Sequence, residues 1–202
     1  MRLAVLAGLF FTFVLTANLM AVKTIDVWCF TLPAAVWVYP FSFTFNDLVT
    51  EFYGFKAARK IVLLTFLLNA AAMGFLALAV FLPPSRHFGH DAAFRVIFLG
   101  GPRILGASFA AFVTSGLLNS FLFDRIKRAT RLPLVLRSAA STFCGVLVDS
   151  AAFILLAFWG KLPRDVLLLA VTGQILAKLL LGVGVGAPVT WRVATLLRRG
   201  EK

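Results

Sequence analysis

Six long apolar segments, separated by short polar connections, account for most of the chain. They cover residues 3–22, 27–46, 61–82, 96–123, 134–160 and 166–191. Each has about 20 residues or more, which is enough for a helix rising about 1.5 Å per residue to cross roughly 30 Å of hydrocarbon. A cleaved signal peptide has a shorter apolar region than the first segment. The pattern therefore predicts an all-α integral membrane protein with six transmembrane helices in a single transmembrane domain, residues 1–202.

The composition supports a membrane protein over a soluble one. Hydrophobic residues make up 61% of the chain and charged residues 14%, whereas soluble domains have roughly 45–50% and about 25%. The 20 Lys and Arg against 8 Asp and Glu give a formal net charge of +12. A nucleic-acid-binding protein would need a solvated basic face that this chain lacks. We therefore expect the lipid bilayer, and no nucleic acid, as a partner.

The basic residues are unevenly distributed between the two sides of the predicted membrane. Twelve Lys and Arg lie in the two termini and in the second and fourth loops, against five in the other loops. Because cytoplasmic loops carry an excess of Lys and Arg, this bias predicts that both termini are cytoplasmic. Six crossings divide into two halves of opposite orientation, which allows a 3+3 inverted repeat. The short connections leave no room for a soluble domain, so function is expected within the membrane.

Two opposite charges fall near the middle of consecutive segments, Asp149 in the fifth and Lys178 in the sixth. The short connection between the segments lies about equally far from both residues, so they can meet at one depth. Charged side chains at the bilayer centre are costly and normally face a partner, water or a substrate. One interpretation is a structural ion pair. The other is a cavity in which the pair exchanges its salt bridge for a polar ligand.

Polar and small residues at helical spacing favour a cavity around these charges. Such stripes are also ordinary material for helix packing in membranes. Three of them converge in the last three segments: Ser108, Phe112, Ser115 and Asn119; Thr142, Gly145, Asp149 and Phe153; Gln174, Lys178 and Gly182.

The end of the second segment combines aromatic and acidic residues. We expect Pro40 to bend this helix. Aromatic faces beside Asn46, Asp47 and Glu51 would suit a flat, hydrogen-bonding heterocycle. The alternative is that the two acids pair with basic residues at the inner interface, where such pairs would form an inner gate. The candidates for this pairing are Lys56, Arg59 and Arg137.

Enzymatic and metal chemistry lack support in the sequence. No paired nucleophile and base is found, so the chain is not expected to be an enzyme. His87 and His90 lie in a loop without a carboxylate or Cys partner, and no metal or cofactor is expected. Cys29 and Cys144 lie at different depths and are not expected to form a disulfide.

Motifs across most of the chain resemble the bacterial queuosine precursor transporter family, small six-helix proteins also described as vitamin uptake transporters. The second-loop signature is the most specific of them. The motifs are Ala17-Asn18, Lys23, Pro40-x-Ser42, Asn46-Asp47-x3-Glu51-x-Tyr53-Gly54, Ala58-Arg59, Pro102-Arg103, Ala107-Ser108, Asn119, Leu136-Arg137, Ser141-Thr142, Asp149, Lys178 and Pro188. The chain differs from the family pattern at Phe43, Phe45 and Asn119, where the family commonly has aliphatic residues and Asp.

The resemblance implies secondary transport of a purine-like substrate. The substrate would be 7-cyano-7-deazaguanine or 7-aminomethyl-7-deazaguanine, taken up across the bacterial inner membrane for salvage into a modified tRNA nucleoside. Carboxylates can accept its ring and amine hydrogens, and Lys, Arg or Asn can donate to its carbonyl. The candidate substrate-binding residues are Asp149, Lys178, Asn46, Asp47, Glu51, Asn119, Gln174 and Asn18, and the candidate gating or ion-pair residues are Arg103, Arg137 and Lys23.

Two other functions fit the same features. A substrate-binding subunit of an energy-coupling-factor vitamin importer also uses about six helices around a ligand pocket, and Ala17-x3-Ala21 offers a small-residue docking stripe. A membrane scaffold protein would use its buried charges only to hold helices together. A homodimer is expected by analogy with other small transporters.

Overall fold

The computed structural model describes residues 2–27, 30–99 and 102–199 and is almost entirely helical. Within these ranges, five helical stretches are long and apolar enough to cross a membrane. They are Arg2–Met20, Pro40–Phe81, Asp91–Ala129, Leu134–Phe158 and Arg164–Arg199. In chain order the elements are α1 (Arg2–Met20), β1 (Thr24–Val27), β2 (Phe30–Pro33), a 3₁₀ turn (Ala34–Trp37), α2 (Pro40–Phe81), α3 (Asp91–Leu99), α4 (Pro102–Ala129), α5 (Leu134–Phe158), α6 (Arg164–Leu181), a π-helical turn (Gly182–Gly186) and α7 (Ala187–Arg199).

The start of the predicted second helix is a β-hairpin, so the prediction of one helix over residues 27–46 is wrong. Strands β1 and β2 pair antiparallel, with Ile25 opposite Leu32 and Asp26 opposite Thr31. The Thr31 hydroxyl donates to the Asp26 carboxylate over 2.7 Å. Apolar residues alternate with polar ones in both strands, which favours a hairpin over a helix. Cys29 lies outside the described residues.

Pro40 begins α2 and does not bend it. It occupies the first turn of the helix, where the missing N–H costs nothing because that group has no partner inside a helix. The expectation of a bend at Pro40 is therefore wrong. The predicted loop after residue 46 is also helical, and α2 continues to Phe81.

The backbone of α2 breaks at Gly54 and turns back along α4. Gly54 has φ 75° and ψ 172°, a conformation that is essentially restricted to glycine. Asn46 and Val62 both contact Gly116 of α4, although 16 residues of straight helix would separate them by about 24 Å. The ring of Phe55 lies 5.9 Å from that of Phe121. The two parts of α2 therefore run in opposite directions beside α4, and we call them α2a (40–53) and α2b (55–81).

The sixth predicted segment extends beyond its expected end at residue 191. A π-helical turn at Gly182–Gly186 joins α6 to α7, which ends at Arg199. A side chain at Gly186 would come within 2.8 Å of the Thr44 hydroxyl. Glycine at this position therefore lets the π turn pack closely against α2a.

The first and last described residues lie at one end of the helical bundle. The Arg2 guanidinium donates to the carbonyl of Leu197 over 3.3 Å, so the start of α1 contacts the end of α7. At the opposite end, Arg103 donates to the carbonyls of Leu156 and Trp159, both over 2.7 Å. These contacts define a terminal end and a hairpin end of the bundle.

Candidate functional site

Asp149 of α5 and Lys178 of α6 meet inside the bundle. The lysine Nζ lies 2.6 Å from Asp149 Oδ2, and the two residues are 3% and 7% exposed. Their contact follows from the antiparallel helices and the short connection between them. Removing one partner of a buried pair of this kind leaves an uncompensated charge and is strongly destabilising.

Tyr39 is a further hydrogen-bond donor to Asp149, and the sequence did not predict this role. Its hydroxyl donates to Asp149 Oδ1 over 2.7 Å, and the Ser115 hydroxyl donates to the same oxygen over 3.2 Å. The Lys178 Nζ lies 4.8 Å from the centroid of the Tyr39 ring, a favourable cation–π distance. Tyr39 was missed because residues 27–46 were predicted to form one helix, which gave no reason to place Tyr39 beside Asp149.

A small cavity of about 40 Å³, with several polar side chains in its wall, adjoins this pair. Gln174 is 2% exposed, and its Oε1 has no hydrogen-bond partner in the described part of the chain. Ser108 donates to Asn18 Oδ1 over 2.8 Å on another wall. We call this space the Asp149 cavity, and its lining includes Asn18, Tyr39, Ser108, Phe153, Gln174 and Lys178.

A larger cleft of about 680 Å³ lies beside the Asp149 cavity at the hairpin end. It is mostly apolar, with walls from α1, α2b, α3, α4 and α5. Asn18, Ser108 and Phe153 line both spaces. We call this space the apolar cleft, and it shares a wall with the Asp149 cavity.

Asp47 and its neighbours form a separate polar layer between the Asp149 cavity and the terminal end. Asn119 Nδ2 donates to Asp47 Oδ1 over 2.7 Å, and the Ser138 hydroxyl donates to Oδ2. Asn46 accepts from the Ser120 hydroxyl over 3.0 Å and donates to the carbonyl of Gly116. Asn46, Asp47 and Asn119 are all buried and do not line the Asp149 cavity.

Glu51 binds three cations at the terminal end of the bundle. Its carboxylate lies 3.1 Å from Lys127, 3.3 Å from Arg137 and 2.5 Å from Arg198. Of the three pairing residues suggested by the sequence, Arg137 contacts Glu51. Lys56 and Arg59 are exposed and form no ion pair within the described ranges. Because these four residues come from α2a, α4, α5 and α7, the Glu51 cluster ties four helices together.

The two other candidate gating residues have structural contacts. Arg103 binds carbonyls at the end of α5 and makes no ion pair among the described residues; cations are favourable at that end of a helix. The side chain of Lys23 is exposed, and its carbonyl accepts from the Ala34 N–H over 2.7 Å. Both residues therefore lie at the hairpin end, away from the Glu51 cluster.

Comparison with known proteins gives one family and two relatives. The family model described as "Putative vitamin uptake transporter" matches residues 33–193. The chain is 33% identical over 154 residues to the "Probable queuosine precursor transporter" of Bacillus subtilis, a match covering 74% of the chain and 66% of the relative. It is 30% identical over 122 residues to the "Queuosine precursor transporter" of Escherichia coli, covering 60% and 52%. No solved structure matches the chain.

Proposed function

Because the chain belongs to the vitamin uptake transporter family, we propose that it imports a queuosine precursor across the bacterial inner membrane. The substrate would be 7-cyano-7-deazaguanine or its aminomethyl relative. The family is a transporter family and not an enzyme family. The names of the Bacillus and Escherichia relatives support this substrate class. The matched regions span about two thirds and about half of those relatives' lengths.

The observation that carries the proposal is the buried ion pair beside an unpaired acceptor, Gln174 Oε1, in the wall of the Asp149 cavity. A deazaguanine presents several N–H donors on one edge and a carbonyl acceptor. Asp149 would accept from the donor edge, Lys178 would donate to the carbonyl, and the free Gln174 Oε1 would accept a further N–H. The Tyr39 and Phe153 rings would pack on the flat face of the ligand.

Binding requires the Asp149 cavity to expand. At about 40 Å³ it holds a few water molecules, whereas pockets for small molecules have about 300–1,000 Å³. The Asp149 carboxylate is already occupied by Tyr39, Ser115 and Lys178. Substrate binding would therefore displace some of these partners, and the neighbouring apolar cleft of about 680 Å³ supplies the space.

Access would alternate between the two ends of the bundle. In this arrangement the Glu51 cluster closes the terminal end, while the Asp149 cavity approaches the hairpin end. The basic bias of the sequence supports a cytoplasmic terminal end. With α2a and α2b counted separately, the chain would cross the membrane six times, with both termini inside the cell.

Ligand stabilisation tests the proposed substrate. We expect 7-cyano-7-deazaguanine to raise the melting temperature of the detergent-purified protein, because a ligand at about 100 times its Kd stabilises the folded state by about 2.7 kcal/mol. Riboflavin and thiamine serve as control vitamins. A rise with either vitamin and none with the deazaguanine would contradict the substrate assignment.

A further inference from the structure

Asp47 differs from the other buried acids of the described chain because it has no cationic partner. Glu51 binds three cations and Asp149 binds Lys178. Asp47 is 0% exposed, and both of its carboxylate oxygens accept hydrogen bonds from uncharged groups, the Asn119 amide and the Ser138 hydroxyl. A buried carboxylate without a cation is costly in a membrane protein and marks a functional position.

The neighbours of Asp47 can form hydrogen bonds with its side chain in both the ionised and the protonated form. As a carboxylate it accepts from Asn119 and Ser138. If it gains a proton, it needs an acceptor, and two are present. The Ser138 hydroxyl can rotate to accept, and Asn119 Oδ1 is buried with no partner among the described residues. A turn of the Asn119 amide would bring that oxygen to the protonated acid.

The charged groups around Asp47 are held by other partners. On α2a, Glu51 lies one helical turn away and engages Lys127 of α4, Arg137 of α5 and Arg198 of α7. On the hairpin side, Asp149 of α5 is paired with Lys178 of α6. No Lys, Arg or His within the described ranges lies in salt-bridge distance of Asp47. The carboxyl is therefore free to change its charge without first breaking an ion pair.

The polar layer around Asp47 is linked to the Asp149 cavity through α4. Asn119 binds Asp47, and Ser115, one turn earlier on the same face of α4, donates to Asp149 Oδ1. If protonation of Asp47 moves this face of α4, the hydrogen bonds of both carboxylates, Asp47 and Asp149, would therefore change. Gly145 of α5 supports the close packing, because a Cβ there would lie 3.3 Å from the Asn119 Cβ.

We propose that Asp47 binds a proton that is transported together with the substrate. The inference rests on the proposed function and adds the coupling ion. The proton enters from the outer side with the substrate, resides on an Asp47 carboxylate oxygen, and leaves to water on the cytoplasmic side. The substrate itself is chemically unchanged.

Proton movement in reconstituted vesicles tests this site. A pH-sensitive dye is enclosed in vesicles that contain only this protein, and 7-cyano-7-deazaguanine is added outside. We expect the lumen to acidify as the substrate enters. An imposed gradient of about 1 pH unit, acid outside, should concentrate the substrate about tenfold at one proton per molecule. A sodium gradient at constant pH should concentrate none.

Asp47→Asn is the informative variant because it retains the shape of the protonated acid. We expect it to exchange substrate across the membrane but to move no protons and to lose concentrative uptake. Asp124→Asn, which removes the acid of a surface pair with Arg128, should behave as the wild type. If Asp47→Asn does not fold, Ser138→Ala retains the carboxyl and should shift the pH of half-maximal uptake.

The outcomes separate the coupling site from the proposed function. Substrate uptake without acidification, acidification that persists in Asp47→Asn, or uptake that follows sodium would overturn the proton site and leave the transport proposal standing. A pH of half-maximal uptake unchanged in Ser138→Ala would also overturn it. If the wild type takes up no deazaguanine, the proposed function itself fails.

Discussion

Replacing Lys178 with Met is expected to destabilise the folded protein by about 3–5 kcal/mol, because Asp149 is left buried without its cation. The double variant Asp149→Asn/Lys178→Met should recover most of that loss. Both introduced side chains are uncharged, and the new amide oxygen can still accept from the Tyr39 hydroxyl. Thermal unfolding in detergent measures both effects. The ion pair of the exposed Arg128 with the partly buried Asp124 provides the control, and Arg128→Met should change stability by less than about 1 kcal/mol.

The double variant also separates a structural role of the pair from a ligand-binding role. If the pair only holds helices together, the recovered protein would still be stabilised by 7-cyano-7-deazaguanine. The proposed site predicts that this ligand stabilisation is lost, because both the acceptor for the donor edge and the donor to the carbonyl have gone. If the double variant recovers its stability and is stabilised by the ligand as much as the wild type, the proposed binding site is contradicted.

Glu51→Gln is expected to open the terminal end of the bundle. The change removes the charge that holds three cations, one of them the largely buried Arg137. Mutual repulsion of the three cations would then separate α4, α5 and α7. Arg137 loses the partner of a largely buried charge, which is destabilising, whereas Lys127 and Arg198 are 34% and 56% exposed and can be solvated. We therefore expect the closed state to lose at least about 1.4 kcal/mol of stability.

Thiol labelling measures this opening. In a background with Cys29 and Cys144 replaced by Ala, Ser138→Cys places a thiol just inside the Glu51 cluster, at a position that is 1% exposed. A membrane-impermeant reagent applied from the terminal side should label it slowly. With Glu51→Gln added, labelling should accelerate at least about tenfold, which corresponds to about 1.4 kcal/mol. Equal rates would show that Glu51 does not close this end, and Asp124→Asn is the matched control for loss of an acid.

The sequence was sufficient to place the central ion pair. Asp149 and Lys178 lie about equally far from a short connection between two apolar helices, and this arrangement allows them to meet at one depth. The helical spacing of Ser115 and Gln174 likewise put them on the faces that surround the pair. These inferences succeeded because the helices are uninterrupted around those residues, so their period of 3.6 residues is maintained.

The region before and within α2 could not be read from hydrophobicity. Residues 27–46 are mostly apolar, and the alternation of polar and apolar residues covers only four residues in each strand. So short a pattern in an apolar run does not distinguish a strand from a helix. Pro33 ends β2 and Pro40 begins α2. The 3₁₀ turn and Tyr39 lie between these two prolines. The sequence placed a loop between residues 46 and 61, and the reversal at Gly54 lies within it. That the helix continues on both sides of this single residue depends on its positive φ and was not predicted.

The partners of Glu51 were only partly predictable for a similar reason. Arg137 was a candidate, whereas Arg198 was not, because the last helix was expected to end at residue 191. The glycine-rich π turn lets that helix continue to Arg199 and bring Arg198 to the cluster. Long-range contacts of this kind depend on the course of the backbone between distant segments.

Uptake by vesicles that contain only this chain is the most direct test of the central claim. Labelled 7-cyano-7-deazaguanine is supplied outside, and the amount inside is compared with that in protein-free vesicles. The proposed function predicts uptake well above the protein-free level, without any ATPase partner, and competition by unlabelled deazaguanine but not by riboflavin. Uptake equal to that of protein-free vesicles, by a protein shown to be folded, would contradict the claim that this chain alone is a transporter.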